Sequence, residues 1–124
     1  MAIKVVDASA LAGLLFGEPE AWAIADQLEG HRLFAPRLLA FELANVCLMK
    51  CRRHPDKRQA LLSAFHLRDR LAIEEVSVEH GEVIPLALTT RLTTYDASYL
   101  WLAQKLNAEL VTLNKELNLA ARPS

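Results

Sequence analysis

The stretch Ile3-Lys-Val-Val6 limits what this chain can fold into more than any other segment. It is short, apolar and rich in β-branched residues, and it ends at Asp7, where the small-residue run Ala8-Ser-Ala-Leu11 starts a helical pattern. A strand of this kind running straight into a helix reads as a buried parallel strand, the type found in sheets covered on both faces. In open α/β sheets, ligands bind at the carboxyl ends of the strands. Asp7 therefore stands where a charge can be used.

The remainder of the chain continues the alternation. Ala8 to Phe16 reads as a short helix ended near Gly17, and a second runs from Pro19 to about Leu28 before Gly30. Leu33-Phe34-Ala35 is a brief strand, after which Pro36 is expected to open a long helix reaching about Arg53. His54-Pro55 interrupts it, and an amphipathic helix follows from Asp56 to Arg70. Ala72 to Val76 reads as a third strand. Val78 to Thr90 reads as a helix in which Pro85 is either a kink or the true start. Thr93 to Leu106 is a helix apolar over much of its surface, Glu109 to Thr112 a fourth strand, and Lys115 to Ala120 a last short helix. Strands alternating with helices imply a parallel sheet with helices on both faces. With no repeat, low-complexity tract or linker, residues 1–124 are expected to form one α/β domain.

Composition narrows the function classes. The formal net charge of −1 gives no general attraction to nucleic acid, so any basic surface must be local. Two cysteines, Cys47 and Cys51, cannot make a disulfide framework and suit a reducing compartment. The N-terminus lacks the pattern of a signal peptide, and no apolar run reaches the roughly 18–20 residues of a membrane span. A soluble, cytoplasmic protein without a membrane partner is the expectation.

Four oxygen-bearing side chains stand at positions that matter in such a fold: Asp7, Glu42, Asp96 and Asn114. Each has an ordinary structural use. Asp7 is a favoured N-cap, as is Asn114 between the fourth strand and the last helix. Thr93-Thr-Tyr-Asp96 fits the capping-box spacing, and a carboxylate in a first helical turn is favoured by the helix dipole. Glu42 is the only charged side chain from Leu38 to Met49, either on a narrow polar stripe with Asn45 or paired inside. Taken together, they put oxygen ligands after the first and fourth strands and at the starts of helices. Separate capping roles do not require that convergence.

The segments carrying these residues resemble the PIN-domain family, and within it the VapC-type ribonuclease toxins of bacterial toxin–antitoxin pairs. The resemblance lies in Val5-Val-Asp-Ala-Ser-Ala10, in Pro36 followed by Phe41-Glu-Leu-Ala-Asn-Val46, and in Leu92-Thr-Thr-Tyr-Asp-Ala-Ser-Tyr-Leu-Trp-Leu-Ala103. It closes with Leu110-Val-Thr-Leu-Asn114. It implies a PIN-like three-layer sandwich, a short parallel sheet of four or five strands flanked by helices. It also implies a metal-dependent endoribonuclease, with Asp7, Glu42 and Asp96 as ligands of Mg²⁺ or Mn²⁺ and with Ser9 and Thr112 as supporting hydroxyls. The family's fourth acid falls on Asn114, which supplies oxygen without charge, and Glu116 is placed to compensate through a water. The C-terminal Ala-Ala-Arg-Pro-Ser124 leaves no room for the final strand that many relatives carry. An RNA substrate, a cognate antitoxin and a homodimer are further implications.

That chemistry matches the residue types. Phosphodiester hydrolysis needs an activated water and relief for charge building on the phosphate, both within reach of a bound Mg²⁺. Magnesium prefers hard oxygen ligands and keeps several waters. Lys50, Arg52 and Arg53, in the one dense basic cluster, and Arg91 are candidate phosphate contacts; a solvated helix end is the more ordinary reading of the cluster, since short basic runs are common on surfaces. Cys47, Cys51 and His54 share a helical face but lack a fourth zinc ligand, so buried thiols are expected. Trp22, Phe16, Leu14 and Leu15 form a candidate apolar docking patch. The rival to the nuclease is a PIN-like protein weakened at Asn114, acting as an RNA- or antitoxin-binding module.

Overall fold

A computed structural model describes residues 2–122. The elements, in chain order, are β1 (Ile3–Val6), α1 (Ala8–Leu15), α2 (Ala21–Leu28), β2 (Arg32–Pro36), α3 (Leu39–Arg53) and α4 (Arg58–His66). They continue with β3 (Glu74–Val76), α5 (His80–Thr90), α6 (Thr94–Leu106), β4 (Glu109–Val111) and α7 (Lys115–Ala121). The four strands form one parallel sheet in the order β3-β2-β1-β4. Val5 and Val6 are both fully buried. Neighbouring residues on a strand point to opposite faces, so β1 is covered on both sides, as its apolar sequence requires. Helix α6 lies across β1, β2 and β4, α7 packs on α6 and β4, and α1 packs against α2 and α3.

This strand order sets where a site can form. From β1 the chain moves outward through β2 and β3, then returns to place β4 on the other side of β1. The carboxyl ends of β1 and β4 flank the topological switch point, where a crevice opens in sheets of this kind. Leu11, Ile24, Leu39, Leu43, Tyr99 and Leu117 are large, fully buried side chains of the core cluster that also holds Val5 and Val6 of β1. Each aliphatic one contributes about 1.5–3 kcal/mol by leaving water. Gly13 lets α1 approach the chain beyond β4, because a Cβ there would stand 3.0 Å from a Leu113 methyl.

Several boundaries differ from expectation. Pro36 closes β2 instead of opening α3. It has no N–H to give, and the Arg37 N–H completes the ladder by donating to the Val76 carbonyl at 3.0 Å. The stretch from Asp56 to Arg70 is α4 between two 3₁₀ segments, and Ala72, with φ of 51°, ends the second instead of starting β3. Pro85 lies inside α5, which removes the second of its two expected placements, the start of the helix. Gly17 and Gly30 follow α1 and α2 with positive φ, the left-handed geometry that glycine adopts without penalty. The expectation of no final strand extends onto Pro123 and Ser124, outside the described residues. Among the described residues, no helix is long and apolar enough to cross a membrane.

Candidate active site

Asp7 caps α1 and is only 4% exposed. Its Oδ1 accepts hydrogen bonds from the Ala10 N–H at 2.9 Å and the Ser9 hydroxyl at 2.8 Å. Its Oδ2 accepts one from the Thr112 hydroxyl at 2.5 Å. The same hydroxyls reach the chain beyond β4. Ser9 Oγ accepts from the Leu113 N–H at 2.9 Å, and Thr112 Oγ1 from the Asn114 N–H at 3.0 Å. One carboxylate and two hydroxyls thus tie the end of β1 to the end of β4.

Glu42 stands in the first turn of α3, half-buried, and its Oε1 accepts from the Tyr99 hydroxyl at 2.7 Å. Tyr99, on α6 and 1% exposed, is the partner that explains a lone acid on an apolar helix. Asn45, expected to share a polar stripe with Glu42, makes no side-chain hydrogen bond to it. Burial and the neighbouring Glu42 carboxylate drive the Tyr99 hydroxyl far above its ordinary pKa, so it stays a neutral donor. Its signal was available: Tyr99 follows Asp96 by one helical turn, on the same face of α6.

Asp96 sits in the first turn of α6, where its N–H donates to the capping Thr93 hydroxyl at 3.1 Å. Asn114 caps α7, its Oδ1 accepting from the Leu117 N–H at 3.0 Å. The cap turns the Asn114 amide nitrogen outward, in long contact with Asp96 Oδ2 at 3.5 Å. Asn114 therefore faces the acids as a donor, with its oxygen already used.

The electrostatics tie these groups into one unit. Burial raises the pKa of Asp7 against the pull of its three donors. Glu42 is raised by burial and by the charges of Asp96 and Asp7. Asp96 is raised by burial, by Asp7 and by Glu116, which places Glu116 at the margin of the cluster. Among the described residues none of these four acids is ion-paired with a Lys, Arg or His. A buried Asp7 whose charge raises Glu42 and Asp96, with no cation among the described residues paired to any of them, is suited to a hard divalent ion. No three acids among the described residues converge closely enough to enclose an ion alone. An ion held here would draw its remaining ligands from water.

The basic residues lie apart. Lys50 is held by Glu18 at 2.6 Å and lies over the Phe16 ring at 5.5 Å. Arg52 and Arg53 are exposed in the last turn of α3, about 15 Å along the helix from Glu42 at 1.5 Å per residue. Arg52 borders a cavity of about 450 Å³ between α3 and α4, lined also by Cys47, Cys51 and Phe65. Arg91 ends α5, exposed, in the left-handed conformation. Both cysteines are free thiols, and His54 lies just past the end of α3. Of the apolar patch, Trp22 is 84% exposed while Leu14, Leu15 and Phe16 pack against the core.

Comparison with known proteins agrees with the family resemblance and with the fold. The family model of the PIN domain matches residues 4–123. The chain is 31% identical over 121 residues to Ribonuclease VapC3 of Pyrobaculum aerophilum, covering 91% of this chain and 90% of that protein. Its fold resembles the crystal structure of PAE2754, also from Pyrobaculum aerophilum. The TM-score is 0.78 at 27% identity, over 98% of this chain and 86% of the other.

Proposed function

This chain belongs to the PIN-domain family, and we propose that it is a divalent-metal-dependent endoribonuclease of the VapC toxin type. The reading rests on one observation above all. Asp7, Glu42 and Asp96, from three separate segments, all have raised pKa values, Asp7 through burial and the other two through burial and neighbouring carboxylates, without a paired cation among the described residues. The name of the relative, a ribonuclease, supports RNA as the substrate.

In this reading Asp7, Glu42 and Asp96 hold Mg²⁺ or Mn²⁺, partly through water. A bound ion supplies a water of lowered pKa and a Lewis acid for the phosphate. The protein's own contribution is positional. Ser9, Thr112 and the Ala10 N–H fix both oxygens of Asp7. Tyr99 fixes Glu42 by donating to Oε1, leaving Oε2 free to face the cluster. Glu116, near enough for its charge to raise Asp96, adds a carboxylate at the margin of the cluster. Asn114 donates toward Asp96 and so holds that side chain without adding charge.

An antitoxin partner, a homodimer and a cytoplasmic location belong to the same proposal. Large apolar side chains left in water support partner docking: Trp22, Phe41 and Leu88 are each more than three-quarters exposed. The engaged oxygen of Asn114 favours the second reading, a binding module with weakened catalysis. Induction in cells followed by sequencing of RNA ends separates the two. New 5′ ends seen with the wild type and absent with Asp7→Asn are expected of the nuclease. RNA that co-purifies uncut with both proteins contradicts it.

A further inference from the structure

One cation outside the expected basic residues stands at the crevice. Val5 lies beside Phe34 and Pro36 beside Val76, so Asp7, Pro36 and Val76 fall in one row across the carboxyl end of the sheet, with strands about 4.8 Å apart. Arg37 and Ser77 come next, just beyond that row. Arg37 Nε donates to Ser77 Oγ at 3.0 Å, and its two terminal nitrogens have no hydrogen-bond partner among the described residues. No carboxylate among those residues pairs with it, whereas Arg32 and Arg68 are held by Glu74 and Glu75. A neutral hydroxyl thus fixes the Arg37 guanidinium and leaves its charge uncompensated.

A cavity of about 210 Å³ opens beside Arg37, between the ends of β2 and β3 and the starts of α5 and α6. Ser77, His80, Thr94 and Tyr95 line it with Arg37. Tyr95 immediately precedes Asp96 in the first turn of α6 and is 62% exposed. Successive side chains on a helix diverge by about 100°. Tyr95 therefore borders the cavity while Asp96 belongs to the acidic cluster. Leu38, just ahead of α3, lines the same cavity four residues before Glu42. The cavity and the cluster are thus neighbours, framed by the starts of the same two helices.

We infer that this cavity holds the nucleotide next to the cleaved phosphodiester of a single-stranded RNA, with Arg37 on its phosphate and Tyr95 stacked on its base. This assignment rests on the ribonuclease reading and gives it two residues that position the substrate. Unpaired carboxylates repel an anionic strand, so a fixed cation one strand's width from Asp7 supplies attraction where the cluster lacks it. Arg takes phosphate oxygens through paired N–H groups. Bases of single strands stack on aromatic faces, which a duplex does not offer. The cavity falls below the usual size of a site for a whole small molecule, and so suits one part of a longer ligand.

The test is fluorescence anisotropy of a short, labelled single-stranded RNA of mixed sequence, in EDTA so that nothing is cut. Tyr95→Ala should weaken binding by at least about fivefold, the low end for one base–aromatic stack, while Tyr95→Phe binds as the wild type does. Arg37→Ala should lower the slope of log K against log salt by about 0.7, one phosphate contact on a single strand. Arg37→Lys keeps the charge and should keep the slope. Trp22→Ala, on the exposed aromatic of α2, should change neither reading, and all variants should melt close to the wild type. Unchanged affinity in Tyr95→Ala, an equal loss in Tyr95→Phe, an unchanged slope in Arg37→Ala, or no binding by the wild type overturns the inference. So does equal displacement of the RNA by polyglutamate of matching charge, which makes the pocket a site for acidic peptides. Because no cleavage is involved, binding that behaves as expected without hydrolysis in Mg²⁺ sinks only the nuclease reading. Hydrolysis with binding indifferent to Arg37 and Tyr95 sinks only this one.

Discussion

Asp7 does two things that different substitutions separate: its oxygens accept hydrogen bonds, and its charge is held near Glu42 and Asp96. Asp7→Ala removes both. It strips the α1 cap, costing about 1 kcal/mol, and leaves the Ser9 and Thr112 hydroxyls without their acceptor, at about 1 kcal/mol each. Relief of a buried, mutually repelled charge returns part of this, so a net loss of about 2 kcal/mol is expected. For a chain of this size that lowers Tm by roughly 6–8 °C. Asp7→Asn keeps Oδ1 for the Ala10 N–H and Ser9, and requires only that the Thr112 hydroxyl reverse to accept from the new amide. Its metal-free stability should lie within about 1 kcal/mol of wild type. Divalent ion should then discriminate in the opposite sense. At ten times its Kd, Mg²⁺ adds about 1.4 kcal/mol to the wild type and almost nothing to either variant. Thermal melts in EDTA and in Mg²⁺ at neutral pH read both effects. Equal destabilisation of the two variants in EDTA, or a full Mg²⁺ increment in Asp7→Asn, would refute the reasoning.

Other outcomes follow from the same geometry. Asn114→Asp keeps the α7 cap but exchanges a donor for a further charge beside Asp96. Metal-free stability should fall by about 1 kcal/mol and Mg²⁺ affinity, measured by calorimetry, should rise by roughly tenfold; no change in either contradicts the contact. Tyr99→Phe removes the donor to Glu42 inside the core, so unfolding free energy should drop by about 1.5–3 kcal/mol, and a neutral result would show that Glu42 does not depend on it. The pKa values of Asp7, Glu42 and Asp96 are all raised above 3.8, 4.5 and 3.8. The folded, metal-free protein therefore holds protons that the unfolded chain has released. The stability these groups contribute is full below the unfolded values and declines as pH rises through the folded ones. Metal-free Tm should fall relative to that of Asp7→Asn from about pH 4 upward, with Mg²⁺ restoring most at the upper end. Parallel curves reject that linkage.

Much of this was legible in the chain itself. β1 was readable because a strand buried on both faces must be apolar at successive positions, and Asp7 because a charge at the end of such a strand is conspicuous. Residues suited to capping were also the residues of the site, since a helix starting at the carboxyl end of a strand puts its cap in the crevice. The pairings themselves were not readable from local patterns, although Tyr99 stands on the Asp96 face of α6 and the resemblance named Thr112. Tyr99 against Glu42, and Thr112 against Asp7, depend on the β3-β2-β1-β4 order, which local patterns do not specify. Pro36 was misplaced because a proline at the first turn of a helix and one at the end of a strand look alike locally; the Arg37–Val76 bond decides between them. Lys50 looked free in a basic run, yet Glu18, distant in sequence, holds it.

The central claim is that Asp7, Glu42 and Asp96 act as one divalent-ion site for cutting RNA. Its most direct test is cleavage of a single-stranded RNA by purified protein in Mg²⁺, in EDTA, and by Asp7→Asn, Glu42→Gln and Asp96→Asn, each shown to be folded. The account predicts cleavage in Mg²⁺ that EDTA abolishes and that each substitution lowers by at least about a hundredfold. Cleavage that persists in EDTA, or in any of the three folded variants at the wild-type rate, contradicts it.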